Sequence, residues 1–213
     1  MGHAVTRSLA DWGLETLVAI VPVKPFAEAK LRLAQVLEPA ARLALSRQMF
    51  EQTLDVLARA RGIARIVVVS RDEHVLRLAR SREVWAIREI RHGLNNALRQ
   101  ATAAARAQGM RAALIVPTDL PKLEPRDVEK IIELGRNPPC IVIAPAQRDQ
   151  GTNGLLVHPI GLIEYAFGRF SSIEHRRRGK QAGAQIEIYR SETIVFDLDL
   201  PEDVKTLGYT MTT

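Results

Sequence analysis

Cysteine is nearly missing from this chain, with Cys140 alone among 213 residues, so no internal disulfide can form. Set in the apolar run Cys140-Ile141-Val142-Ile143, it reads as a small buried thiol rather than a nucleophile, which suits a reducing compartment. Long apolar runs are lacking too: none approaches about 18 residues, the length a membrane helix needs. Met1 to Glu15 mixes charges with Trp12 and has no secretory apolar stretch, so a cytoplasmic protein is expected. Residues 1–16 read as an N-terminal extension to one domain over 17–213, a size that 46% hydrophobic residues can fill with a core. Also missing are G-x-x-x-x-G-K-[ST] and a strand-to-helix G-x-G-x-x-G, which removes P-loop and dinucleotide chemistry. Thirty Lys and Arg against 24 Asp and Glu give a formal charge of +6, which favours anionic partners. Aromatics are scarce at 5% and no nucleic-acid motif is present, so no nucleic-acid partner is expected.

What is present alternates short β-rich runs with longer helical patterns, the signature of layered α/β construction. Strands are expected at Leu17 to Val23, Arg65 to Ser70, Val84 to Arg88, Ala112 to Pro117, Cys140 to Ala144, Leu155 to Val157, Gln185 to Arg190 and Ile194 to Leu200. Helices are expected over Pro39 to Arg61, Asp72 to about Arg80 and Asn95 to Gln108, the last stopped by Gly109, with others opened by Pro125 and Pro201.

The chemistry concentrates in carboxylates and cations. In Phe196-Asp197-Leu198-Asp199 extended alternation sends both aspartates to one face, where they repel unless a hard cation such as Mg²⁺ or Mn²⁺ sits between them. Asp199 alternatively caps the helix opened by Pro201. Asp119, in Pro117-Thr118-Asp119-Leu120-Pro121, lies at a strand's carboxyl end, where α/β sheets bind ligands; it reads equally as a turn former. Lys24, Lys30 and Arg32 follow the first strand and could surround a triphosphate or line a solvated basic loop. Ser171-Ser172-Ile173-Glu174 has the form of a capping box, a helix start that attracts anions. Gly168 just upstream would let an anion approach the backbone, and Gly151-Thr152-Asn153 also reads as a turn. Asn95 reads first as a cap of the alanine-rich helix, His92 and His175 as structural histidines, and the basic run from Arg176 to Lys180 as a solvated helix face.

Taken in order, Val21 to Leu33, Gly93-Leu-Asn-Asn-Ala-Leu98, Pro117 to Pro121, Gly151-Thr-Asn153, Phe167-Gly-Arg-Phe-Ser171 with His175, and Asp197-Leu-Asp-Leu-Pro-Glu-Asp203 resemble the CofC/FbiD guanylyltransferases of coenzyme F420 biosynthesis. The resemblance runs from about Leu17 to Leu207. It departs from the family at Leu31, where Ser or Thr is common, and in the basic crowding of Arg176, Arg177 and Arg178.

The resemblance implies a GT-A-like, Rossmann-related nucleotidyltransferase fold with a mostly parallel mixed sheet flanked by helices. It implies GMP transfer from GTP to 2-phospho-L-lactate or phosphoenolpyruvate with release of pyrophosphate. By similarity, Asp119, Asp197 and Asp199 would hold divalent metal, Mg²⁺ or else Mn²⁺. Lys24, Lys30 and Arg32, with Gly93, Leu94 and Asn95, would serve GTP, the cations and Asp119 acting in catalysis. Thr152, Gly168 and Ser171 would bind the phosphoacid. No membrane partner is implied, and a homodimer is left open. The alternatives are a molybdenum-cofactor guanylyltransferase or sugar-phosphate nucleotidyltransferase, which typically carry a glycine-rich G-G-x-S/T-x-R-like loop missing here, and a basic nucleic-acid-binding protein.

Overall fold

The structure, a computed structural model, describes residues 16–206. The extension expected over 1–16, with Trp12, therefore lies almost wholly outside the described residues. Seven strands form one sheet: β1 (Leu17–Pro22), β2 (Arg65–Ser70), β3 (Trp85–Arg88), β4 (Ala112–Ile115), β5 (Cys140–Pro145), β6 (Thr152–His158) and β7 (Gln185–Ile188), in the order β3-β2-β1-β4-β6-β5-β7. β6 runs antiparallel to both its neighbours, and every other pairing is parallel. The helices are α1 (Pro39–Arg59), α2 (Glu73–Ser81), α3 (Leu94–Ala107), α4 (Pro125–Leu134), α5 (Ser171–Gln181) and α6 (Pro201–Thr206).

The central strands are continuous apolar runs because helices cover both faces of the sheet. In β1 alternate residues serve opposite cores: Leu17, Ala19 and Val21 pack with Phe50, Leu54 and Leu57 of α1, while Val18 and Ile20 pack with Leu98, Ala101 and Ala105 of α3. This alternation fixes register, since a one-residue slip would exchange the two cores. Helix α5 approaches the sheet closely at Gly179, where a Cβ would lie 2.4 Å from Ile141 Cδ1. A third, smaller cluster joins Leu33, Leu45 and Met49 to Leu198 and Val204, fastening the last part of the chain near the loop after β1.

One expected element is absent: Ile194 to Leu200 is not a strand. Val195 N turns back to Ser191 O, and further along Leu198 N reaches Asp119 O at 2.9 Å, so no ladder forms. The alternation arises instead from Ile194 and Leu198 being buried as separate anchors, each worth roughly 1.5–3 kcal/mol. Cys140 is buried as expected, and burial, aided by Glu187, pushes its pKa up to about 11.

Candidate active site

The parallel strands β1 to β4 end on one edge of the sheet. Ile115 of β4 pairs with Leu155 of β6, so the start of antiparallel β6, with Thr152, lies on that same edge. The loops after β1 and β4, the start of β6 and the segment before α6 together build the site.

Asp119 and the Asp197–Asp199 segment, far apart in sequence, meet here through the Leu198 N to Asp119 O hydrogen bond. Lys30 lies among them: its ammonium donates to Leu198 O and, at 3.3 Å, to Asp199 Oδ1, and stands 4.0 Å from Asp119 Oδ2. Lys30 adopts the left-handed conformation with φ 56°, a costly choice for a non-glycine residue and one that gathers at functional sites. Arg32 reaches Asp199 Oδ2 at 3.7 Å while remaining largely exposed, so this pair alone adds little stability. Lys24 is exposed and close enough to act on Asp119 electrostatically.

The aspartates are not equally served. Asp199 has both cations, but Asp119 Oδ1 and Asp197 Oδ1 are buried with no hydrogen-bond partner among the described residues. Burial raises the pKa of Asp119, a rise opposed by Lys30 and reinforced by Asp199. Burial, then Asp119 and Asp199, raises that of Asp197 to about 6. Orphaned buried carboxylate oxygens cost several kcal/mol unless a proton or cation joins them, so the donor set fits a hard divalent cation. Among the described residues no group of three or more His, Cys, Asp or Glu is set as a ready-made metal cage; the orphaned pair is Asp119 and Asp197, with Asp199 turned to Lys30 and Arg32.

Asp199 does not cap α6 with its side chain. Asp203 holds that helix start, its Oδ2 accepting from Asp199 N at 2.9 Å and Leu200 N at 2.8 Å. Arg148 binds Asp203 Oδ1 and donates to Asp197 O at 3.2 Å. This clamp was missed by sequence reasoning, although Pro201 followed by Asp203 carries a helix-start signal; nothing in sequence marks Arg148. The loop after β1 is similarly braced: Glu28 pairs with Arg71, and Asp72 Oδ2 accepts from Phe26 N at 3.4 Å.

The segment before and into α3 starts at Gly93, with φ 117°, a conformation that suits glycine. Leu94 is exposed. Asn95 is not a cap: its Oδ1 accepts from Phe167 N at 2.8 Å and its Nδ2 donates to Phe167 O at 3.1 Å. It therefore fastens the loop carrying Gly168 to the start of α3.

Thr152 and Ser171 come together, their hydroxyls 2.9 Å apart and both residues buried. The capping box expected at Ser171 is not formed. Phe170, left-handed with φ 59°, precedes the helix, and Glu174 turns forward to Arg177 and Arg178. The first N–H groups of α5 go to carbonyls of Gly168, Gln150 and Phe170, so they are not open donors for an anion. Arg178 additionally donates to Glu164 O, so the basic run is partly engaged in structure. His92 lies on the exposed approach to α3, whereas His175 is completely buried.

A family model described as "Guanylyl transferase CofC like" matches residues 17–209. The chain belongs to this family. It is 37% identical to a phosphoenolpyruvate guanylyltransferase of Rubrobacter xylanophilus over 90% of this chain and 93% of that protein. It is 33% identical to a 2-phospho-L-lactate guanylyltransferase of Methanocaldococcus jannaschii over 87% of this chain and 79% of that one. In fold, it is similar to the 4-diphosphocytidyl-2C-methyl-D-erythritol synthase of Anaerococcus prevotii, with TM-score 0.65 and 12% identity, covering 94% of this chain and 97% of that one. The expected nucleotidyltransferase fold is thereby borne out. Among the described residues no helix is long and apolar enough to cross a membrane.

Proposed function

We propose that this protein is a cytoplasmic guanylyltransferase that moves GMP from GTP onto the phosphate of phosphoenolpyruvate or 2-phospho-L-lactate, releasing pyrophosphate, in coenzyme F420 biosynthesis. The observation that carries this reading is the pair of orphaned oxygens on Asp119 and Asp197, flanked by Lys30, on the ligand-binding edge of a CofC-like chain. Family membership supports the choice of substrates.

In the proposed reaction a phosphate oxygen of the phosphoacid attacks the α-phosphorus of GTP. A new oxygen–phosphorus bond forms, the bond from the α-phosphorus to the α,β-bridging oxygen breaks, and pyrophosphate leaves. The attacking phosphate is largely ionised at neutral pH, its second pKa being about 6, so no side chain need act as a strong base. The obstacle is the approach of two anions. Lys24, Lys30 and Arg32 supply fixed positive charge for the triphosphate, and Gly93, Leu94 and Asn95 border the nucleoside side. Thr152, Gly168 and Ser171 hold the phosphoacid. Asp119, Asp197 and Asp199 would hold Mg²⁺ or Mn²⁺, which neutralises charge between reacting phosphates. Lys30 also keeps the aspartates from driving one another apart.

The test is pyrophosphate release from GTP or ATP with phosphoenolpyruvate, 2-phospho-L-lactate or 3-phosphoglycerate, with the nucleotidyl product identified by mass. GTP-dependent product with either of the first two acids, lost on chelation, is expected. No product with either, or product formed equally well under chelation, overturns the reading.

A further inference from the structure

His175 sits deep beneath the Thr152–Ser171 pair, and its ring geometry assigns its protons. Ala166 N, which can only donate, points to Nε2 at 3.0 Å. Nε2 is therefore an acceptor, the ring is neutral, and its single proton rests on Nδ1. That proton faces Thr152 Oγ1 at 3.1 Å. Among the described residues the remaining partner of the buried Thr152 hydroxyl is Ser171 Oγ, at 2.9 Å, so Thr152 donates there. The Ser171 hydroxyl proton is then left without an acceptor among the described residues. Burial, with Arg178 adding to it and Glu174 opposing, lowers the imidazole pKa to about 4, which agrees with a neutral ring. Phe167 packs edge-on against it with ring centroids 4.9 Å apart.

We propose that His175 is a positioning residue for the phosphoacid, orienting a one-way chain of donors from its Nδ1–H through Thr152 to Ser171 so that the Ser171 hydroxyl donates to the substrate's anionic oxygens. This rests on the assignment of Thr152 and Ser171 to the phosphoacid. A donor fixed in direction before substrate arrives costs no reorientation on binding. His175 is not a general base in this scheme, because its one lone pair is already held by Ala166 N–H.

Three substitutions separate this role from simple loop support. His175→Asn keeps an N–H donor near the Nδ1 position but loses the acceptor for Ala166. His175→Gln does the reverse, and His175→Ala loses both. The proposal expects His175→Ala and His175→Gln to raise the KM for phosphoenolpyruvate roughly ten- to hundredfold, the worth of a charge-assisted hydrogen bond. His175→Asn should stay within about threefold of the parent chain, and the KM for GTP should not move in any variant. Thr152→Val should match His175→Ala, and combining the two should add nothing further. If His175→Gln behaves as the parent while His175→Asn behaves as His175→Ala, the residue only pins the loop and the proposal falls. It falls too if all three keep the parent KM. An independent readout is the ¹⁵N spectrum of labelled histidine in the unaltered protein, assigned by loss of one signal in a His175 variant. A ring protonated at Nδ1 is expected, and one protonated at Nε2 overturns the chain of donors whether or not the protein proves active. If the parent chain yields no product with any phosphoacid, the substrate assignment fails on its own account and the nitrogen spectrum still decides the relay.

Discussion

Asp127, fully buried, and the half-buried group of Asp119, Asp197 and Asp199 are treated in opposite ways. Asp127, at the start of α4, is completely buried, and both its oxygens are occupied: Oδ1 by Tyr189 Oη, Ser191 Oγ and Thr193 Oγ1, and Oδ2 by Thr193 Oγ1 and Glu124 N, all within 3.0 Å. Asp119 and Asp197 each keep a buried oxygen with no partner among the described residues. A carboxylate met on all sides ties elements together, here fastening the 189–193 turn to α4 ahead of the site. A carboxylate left unmet stores a cost that a ligand can relieve. The difference separates a structural acid from a functional one more sharply than burial does.

The largest break in this comparison should come from neutralising the unmet acids. Asp197→Asn is expected to lower guanylyl transfer by about a thousandfold or more, since charge stabilisation at such sites is worth several kcal/mol, with the circular dichroism of the fold unchanged. Wild-type turnover in this variant would remove Asp197 from the reaction. Next, Asp127→Ala strands three hydroxyls and a backbone donor, and should cost roughly 3 kcal/mol in urea unfolding. A loss below about 1 kcal/mol would mean that the cluster is not structural.

The smallest effect concerns pH. Because the folded pKa of Asp197 is raised to about 6 from 3.8, the folded state binds the proton more readily than the unfolded chain. That contribution to stability is present below about pH 4 and is lost as pH rises through 6. In chelator, stability attributable to this group should fall by about 1–2 kcal/mol between pH 4 and 7, after allowance for its partial exposure. Saturating Mg²⁺ should offset the loss, and Asp197→Asn should abolish it. The check is the difference between parent and variant unfolding free energies across that range; a difference that does not change with pH contradicts the assignment.

Much of the fold was legible in sequence because its elements carry strong local signals. Apolar runs such as Leu17 to Val23 and proline starts such as Pro39, Pro125 and Pro201 set elements that reappear with bounds shifted by one or two residues at most, while β6 starts three residues before the expected Leu155. The motif order also led to the three aspartates, and the structure brings Asp119 beside Asp197 and Asp199. What failed were patterns that tertiary partners override. Ile194 to Leu200 alternates as a strand does, yet its backbone bonds go singly to Ser191, Gln147 and Asp119 rather than to a strand. Ser171 and Glu174 match a capping box, but Arg177 and Arg178 claim the glutamate and Thr152 the serine. His175 stands one helical turn after Ser171, on the same face, but its link to Thr152 depends on how α5 docks against the sheet. Arg148 gives no local sign of its role, because Asp203 lies 55 residues away. Asp127, two residues after Pro125, carries a helix-start signal that its bond from Glu124 N fulfils, but the hydroxyls of Tyr189, Ser191 and Thr193 that complete its cluster lie more than sixty residues away.

Whether the unmet oxygens form a cation site is measured most directly by Mn²⁺ binding to the full chain, followed by electron paramagnetic resonance. Asp119→Asn and Asp197→Asn are each expected to weaken Mn²⁺ binding at least about tenfold, while Asp127→Asn leaves it unchanged. Equal Mn²⁺ affinity in the parent chain and in both site variants would mean that these oxygens hold no cation.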